Sequence, residues 1–255
     1  MKVVILAGGF GSRLSEETEI IPKPLVQIGE LPILWHIMRY YTHFQFREFV
    51  IALGYKGHLI KRFATETMYL AGDLRIDYAS RQVSHAACDA EHWLVDLVET
   101  GLATPTGGRI KRLADTVGRN RFCVTYGDGL SDVDLDALLR FHRRHGRLAT
   151  LTAVRPPARF GHLEVDEDAV TVFDEKPQTA EGWINGGFFV FEPEVFDYIE
   201  GDVALEHAPL RRLAADGQLM AYRHSGFWQC MDTLRDKRLL EQLWQTGEAP
   251  WKVWK

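Results

Sequence analysis

Cysteine is scarce: three residues in 255, at positions 88, 123 and 230. The set is odd in number, widely spaced and without a CxxC pair, which excludes a disulfide framework and a paired-cysteine zinc module. A reduced, cytoplasmic setting is the expectation. No apolar run approaches the roughly 20 residues needed to cross a bilayer, so no membrane partner is expected. Met1 to Ala7 also lack the long apolar stretch and small-residue cleavage site of a secretory leader. Positive charge is not in surplus. A formal net charge of −5 leaves no global basic footprint for nucleic acid, although local clusters could hold a small polyanion. Repeats, low-complexity stretches and Pro/Ser-rich linkers are absent, and residues 1–255 read as a single domain.

What is present is ordinary globular chemistry, with 46% apolar and 25% charged residues and enough chain to bury a full core. The run KVVILA reads as a buried strand that ends at Gly8, Gly9 and Gly11. Pro32 opens PILWHIMRYYTHF, whose apolar residues recur at helical spacing; Pro suits the first helical position. FVIALGY reads as the next strand, and HLIKRFATETMYLAG as a helix closed by Gly72. Strands are expected at 73–79, 93–99 and 121–126, and a helix at 108–117. A further helix at 132–145 stops at Gly146, and LATLTAV reads as a strand. This alternation predicts an α/β, doubly wound fold with a mainly parallel sheet. From 160 onward, shorter strands and denser turns suggest a small antiparallel addition carrying part of a ligand pocket.

Chemistry concentrates first in Leu6-Ala7-Gly8-Gly9-Phe10-Gly11-Ser12-Arg13, directly after the opening strand. Glycines let a backbone approach an anion and turn successive N–H groups toward it. The Rossmann fingerprint fails because Leu14 stands where its third glycine belongs, and the P-loop fails because Gly11 is not followed by Lys. A glycine turn after a strand is often structural. Arg13, and Lys23 between Pro22 and Pro24, add two cations suited to a triphosphate.

Tyr126-Gly127-Asp128-Gly129 ends the run RFCVTY, and strand carboxyl ends are where open α/β sheets bind ligands. Asp128 could hold Mg²⁺ there, or the segment could be a simple turn. A second carboxylate would decide, and Asp232 is available. Glu175-Lys176-Pro177 and Asn185-Gly186-Gly187 read either as solvated turns or as contacts to sugar hydroxyls and a sugar phosphate. His85, Cys88 and His92 lack a clear fourth ligand, so surface loop residues are expected rather than zinc. Trp244, Trp251 and Trp254 are expected to pack the C-terminal segment or a subunit contact.

Taken in order, these segments resemble the sugar-phosphate nucleotidyltransferase family, whose signature joins a glycine loop, an Arg and a downstream Pro-Lys-Pro. Within it the match narrows to the glucose-1-phosphate cytidylyltransferase branch. SEETEIIPKP, PILWHIM, LGYKG, TGGRIKR, TYGDGLSD, INGGFFVFEPEVFDYI, GFWQ and MDTLRDK carry it along nearly the whole chain. The resemblance implies CTP and a sugar 1-phosphate as substrates, Mg²⁺ as cofactor, and a homo-oligomer, possibly a hexamer. It assigns Leu6, Ala7, Gly8, Gly9, Gly11, Ser12 and Arg13 to the nucleotide and Lys23 to phosphates. Thr104 and Arg109 go to the pyrimidine and its phosphates, Gly127 to the nucleoside, and Asp128 with Asp232 to the metal. Arg13, Lys23 and Asp128 form the catalytic set. Gly161, His162, Glu175, Lys176, Asn185 and Gly186 would surround the sugar phosphate, making residues from about 160 to 255 the source of the sugar pocket and oligomer contacts.

Four positions depart from the family pattern. Ser12 replaces Thr and keeps the hydroxyl, Cys230 stands where Pro precedes Met-Asp, and Ala208 replaces an acidic residue. His162 follows Arg-Phe-Gly where a small residue is usual, and is expected to reshape the sugar pocket. A nucleotide-sugar sensor without catalysis is the rival from another class; it should have lost a phosphate cation or a metal carboxylate, and this chain retains all four. The failed glycine spacing disfavours an NAD-binding oxidoreductase. Within the enzyme class, a uridylyl- or thymidylyltransferase is the alternative.

Overall fold

Residues KVVIL form β1 (Lys2–Leu6), and Val3, Val4 and Ile5 have no exposed surface. A strand apolar at every position must be covered on both faces, which is how a parallel sheet sits inside an α/β fold. The computed structural model describes residues 1–69, 73–85, 92–156, 162–166, 169–174 and 182–254. Six further strands join β1: β2 (Glu48–Leu53), β3 (Leu94–Glu99), β4 (Phe122–Tyr126), β5 (Ala149–Val154), β6 (Ile184–Phe191) and β7 (Leu219–His224). Their order in the seven-stranded sheet is β7-β5-β6-β4-β1-β2-β3. All neighbours run parallel except β6, which pairs antiparallel with both β4 and β5. The mainly parallel, doubly wound α/β architecture read from the sequence is thus the one observed.

Alternate residues of β1 feed two cores. Val3 and Ile5 pack with helix α1 (Ile33–His43), while Val4 and Leu6 face Ile110 and Leu213. The first core also holds Trp251, which is fully buried and stacks on Phe227 with ring centroids 5.6 Å apart. Trp244 meets the His36 ring edge-on at 4.6 Å and Trp254 meets Trp35 at 5.8 Å. The C-terminal tryptophans therefore lock the end of the chain onto α1, as the packing expectation required.

Several boundaries moved for identifiable reasons. Pro32 is the cap of α1 rather than its first residue. The helix expected at 108–117 begins earlier, as α3 (Thr106–Arg112), and a second short helix covers Ala114–Val117. Gly107 and Gly108 are poor helix formers, but a Cβ on either would come within 2.7 Å of Val203 O or 2.6 Å of Asp202 Oδ1. Close packing overrides propensity there. The segment expected as a sheet strand at 73–79 instead forms a separate antiparallel hairpin, Leu74–Asp77 with Gln82–His85. It follows helix α2 (Gly57–Tyr69), and Gly72 lies outside the described residues. The antiparallel addition does appear as His162–Asp166 paired with Ala169–Asp174, yet the eight-residue β6 enters the main sheet itself.

Helix α4 (Leu135–His145) stops at Gly146 as its sequence announces, but begins at Leu135 rather than at the expected 132. The Asp134 side chain accepts from Ala137 N, and Gly146 closes the helix at φ 62°. Its fully buried His142 joins a polar chain behind the sheet: Nδ1 lies 2.7 Å from Thr150 Oγ1 and Nε2 lies 3.2 Å from Glu192 Oε1, which Arg121 also contacts. Burial drives the His142 pKa down from 6.5 to about 4. The folded state thus binds fewer protons than the unfolded state between these values, so this contribution is intact above pH ~6.5 and fades on acidification toward ~4. Chemical denaturation at pH 7.5 and 5.0 should show a loss of about 2 kcal/mol from this source. A His142→Gln variant should show a flatter pH dependence; an unchanged slope would remove His142 as its origin.

Candidate active site

The strand order reverses between the parallel neighbours β1 and β4, since the chain leaves β1 toward β2 and β3 on one side and later builds β4 on the other. Such a switch point opens a crevice at the strand carboxyl ends. Here it is a pocket of about 380 Å³ whose wall includes Leu6, Ala7, Gly8, Gly9, Gly11, Ser12, Lys23, Thr104, Arg109, Gly127 and Asp128. Each was a candidate from sequence. Pro24, Pro105, Thr106 and Tyr126 complete the lining and were not.

The glycine loop is shaped by what lies against it. Gly8 O accepts from Arg109 Nη2 at 2.9 Å, and a Cβ on Gly8 would fall 2.2 Å from the Arg109 guanidinium carbon. Gly11 takes φ +66°, with its carbonyl accepting from Leu14 N and Thr18 Oγ1. A Cβ on Gly9 would meet nothing within 4 Å, so its openness belongs to the pocket and not to packing. Gly127 closes the floor: its N–H donates to Leu6 O, and a Cβ would sit 2.7 Å from that same oxygen.

Arg109 is more deeply committed to the protein than its assignment suggested. It is 3% exposed; Nη1 donates to Leu53 O, Thr100 Oγ1 and Gly101 O, while Nη2 donates to Gly8 O and Leu102 O, all at 2.7–3.2 Å. The guanidinium therefore ties together the chain ends that follow β1, β2 and β3. One turn on, Arg112 holds Thr104 Oγ1 at 2.7 Å and Asp202 at 2.7 Å. Their i, i+3 spacing in TGGRIKR was the available signal for a shared helix face.

Lys23 sits in a short helical turn, Lys23–Leu25, capped by Pro22. Its ammonium donates to Asp128 Oδ2 at 2.6 Å and Asp232 Oδ1 at 2.5 Å. Burial acts to lower the Lys23 pKa, but the two carboxylates outweigh it and the net shift is upward from 10.5. The distant Asp232 arrives by a short antiparallel ladder, Gly129–Ser131 with Trp228–Cys230, extended by a bond from Met231 N to Asp128 O. A capping box at Thr233 and Asp236 opens helix α6 (Leu234–Gln245), and Asp236 also accepts from Asp232 N at 3.1 Å. Asp232 is thus fixed at the threshold of a capped helix. Cys230 donates its thiol to Asp232 Oδ2 across 3.7 Å. Burial, followed by Asp232 and Asp128, pushes that thiol up to about 12, so it remains a protonated donor.

The sugar-side candidates are less gathered. Gly161, Glu175 and Lys176 lie outside the described residues, as does Cys88. His162 is described through its backbone, opposite Asp174, and Arg13 through its place in the turn Ser12–Leu14; nothing is assigned to their side chains. Asn185 and Gly186 do reach the crevice side of the sheet. Asn185 Nδ2 donates to the Tyr126 hydroxyl at 3.1 Å, and Gly186 O accepts from Trp228 Nε1 at 2.7 Å. Ala208 begins helix α5 (Ala208–Ala215). Among the described residues no group of three or more His, Cys, Asp or Glu side chains is placed to hold a metal ion, and no helix is long and apolar enough to cross a membrane.

The profile of the nucleotidyl transferase family matches residues 2–228. The glucose-1-phosphate cytidylyltransferases of Salmonella typhi and Salmonella typhimurium are each 49% identical to this chain over 256 residues, covering 100% of both partners. A crystal structure of HddC from Yersinia pseudotuberculosis superposes with a TM-score of 0.68 at 23% identity, covering 95% of this chain and 99% of that one. At that identity the likeness speaks for the fold.

Proposed function

The chain belongs to the nucleotidyl transferase family, and from that premise we propose that it transfers CMP from CTP to a sugar 1-phosphate, α-D-glucose 1-phosphate, releasing pyrophosphate. The observation that carries this reading is the meeting of Lys23, Asp128 and Asp232 at the rim of the glycine-loop pocket. The full-length relatives named as glucose-1-phosphate cytidylyltransferases supply the substrates.

In the proposed reaction the sugar-phosphate oxygen attacks the α-phosphorus of CTP in line with the departing pyrophosphate. That oxygen is anionic near neutral pH, so the protein need not supply a general base. Its work is to align two like-charged substrates and to compensate charge on the leaving group. Backbone N–H groups of the glycine loop and the Arg13 side chain take the triphosphate, while Lys23 bridges the α-phosphate and the sugar phosphate. Thr104, on the pocket wall, serves the pyrimidine end, and Arg109 acts there by holding the Gly8 carbonyl. Glu175, Lys176, Asn185, Gly186, Gly161 and His162 take the sugar phosphate.

Asp128 and Asp232 suit Mg²⁺. Their oxygens already converge on one cation, and two carboxylates leave positions for phosphate oxygens and water, as this ion prefers. When bound, Mg²⁺ supplies Lewis-acid charge compensation and a template for the phosphates. The chain is proposed to work as a single domain in the cytoplasm, assembled as a homo-oligomer for which a hexamer is the first size to test.

Pyrophosphate release across a grid of nucleoside triphosphates and sugar 1-phosphates, with Mg²⁺, tests the reading. CTP with glucose 1-phosphate should exceed every other pair by about tenfold or more in kcat/KM. A preference for UTP or dTTP would replace the base assignment, and nucleotide binding without release at any pair would favour a sensor.

A further inference from the structure

Glu206 has no role in the reaction outlined above, yet its carboxylate joins two walls of the crevice. One oxygen accepts from the Thr106 hydroxyl at 2.6 Å, and the other accepts from the Tyr126 hydroxyl. Tyr126 in turn accepts from Asn185 Nδ2 at 3.1 Å, and Asn185 Oδ1 accepts from Gly187 N at 2.9 Å. Thr106 and Tyr126 line the nucleotide pocket, whereas Asn185 stands on β6.

A carboxylate accepts hydrogen bonds and donates none. Glu206 therefore draws the Tyr126 proton toward itself, which leaves the Tyr126 oxygen to accept from Asn185. That choice, with the Gly187 N–H on Oδ1, sets which end of the Asn185 amide faces which way. Among the described residues, the other N–H of the amide meets no acceptor. The packing agrees: Gly187 takes φ +78°, and a Cβ there would lie 2.4 Å from the Tyr126 ring. Burial and then Glu206 raise the Tyr126 pKa, so its hydroxyl keeps the proton it donates.

We propose that Glu206 is a positioning residue for the sugar phosphate: through Tyr126 it orients the Asn185 amide so that its second N–H meets a sugar hydroxyl. The proposal rests on the transferase reading above and deepens its sugar side. Thr106 depends less on Glu206, because its hydroxyl oxygen is also held by Leu205 N at 2.8 Å. Loss of Glu206 should consequently disturb the sugar wall more than the nucleotide wall.

The test is Glu206→Gln, whose amide can donate to Tyr126 and reverse the chain. KM for glucose 1-phosphate should rise about tenfold, with KM for CTP within about twofold, since one oriented hydrogen bond is lost on one substrate. Tyr126→Phe should reproduce that split, and the double variant should be no worse than either single variant. Discrimination against deoxy-glucose 1-phosphates should shrink in the same variants. Equal rises in KM for both substrates, additive effects, or unchanged kinetics would overturn the proposal. A wild-type protein that turns over no sugar 1-phosphate would instead overturn the transferase reading, so the two failures are separable.

Discussion

Asp128→Asn is expected to lower kcat by about a thousandfold while leaving the fold intact, the scale on which loss of a group serving transition-state charge is felt. Asp128 lies one residue beyond Gly127, which follows the last residue of β4, and its backbone carbonyl is held by Met231 N at 2.8 Å. Asparagine keeps the shape and therefore the backbone geometry. It removes one of the two negative charges that converge on Lys23, and its amide can turn a donor toward the ammonium in place of an acceptor. A Mg²⁺-phosphate complex then meets a single carboxylate, Asp232. The measurement is pyrophosphate release at limiting Mg²⁺, with thermal unfolding as the control for folding. Near-normal turnover would remove Asp128 from the metal site.

The second large effect concerns adjacent glycines that look equivalent in the sequence. Gly8→Ala should destabilise the protein by about 3 kcal/mol and abolish measurable nucleotide binding. The new methyl would lie 2.2 Å from the Arg109 guanidinium, and that group cannot retreat easily because it is held by Gly8 O and by four acceptors from Leu53 to Leu102. Displacing it leaves a buried cation and several carbonyls without partners. Gly9→Ala has nothing within 4 Å of the added carbon, so its melting temperature should stay near wild type while nucleotide binding weakens. Denaturant unfolding and nucleotide titration of the pair check both claims. Equal stability of the two variants would contradict the clamp.

These expectations show where local chemistry speaks and where it is silent. The C-terminal end of α4 could be read in advance because a left-handed glycine acts over a few residues, whereas its start, expected at 132, falls behind the Asp134 cap. The continuous apolar run of β1 announced a strand buried on both faces for the same reason. The hairpin at 74–85 could not be separated from the sheet in this way. A short strand looks alike whether it pairs with a parallel neighbour or with the segment after its own turn. Gly107 and Gly108 misled for the opposite reason: they weaken a helix locally and are required by a contact with Val203 and Asp202 roughly a hundred positions away.

The site divides along the same line. By itself the sequence determined that a glycine loop follows the first strand, that Lys23 and Arg13 stand near it, and that carboxylates at 128 and 232 are available. Those are properties of residue type and short spacing. The tertiary structure decided that Lys23 lies between both carboxylates, that Arg109 braces the loop from beneath, and that Glu206 reaches Tyr126 and Thr106. Each is a contact between segments far apart in the chain, set by strand order and by the ladder joining Gly129–Ser131 to Trp228–Cys230. Hydrogen bonds and ion pairs act over a few ångströms, so only the folded arrangement can say which donors are already committed and which remain for a ligand.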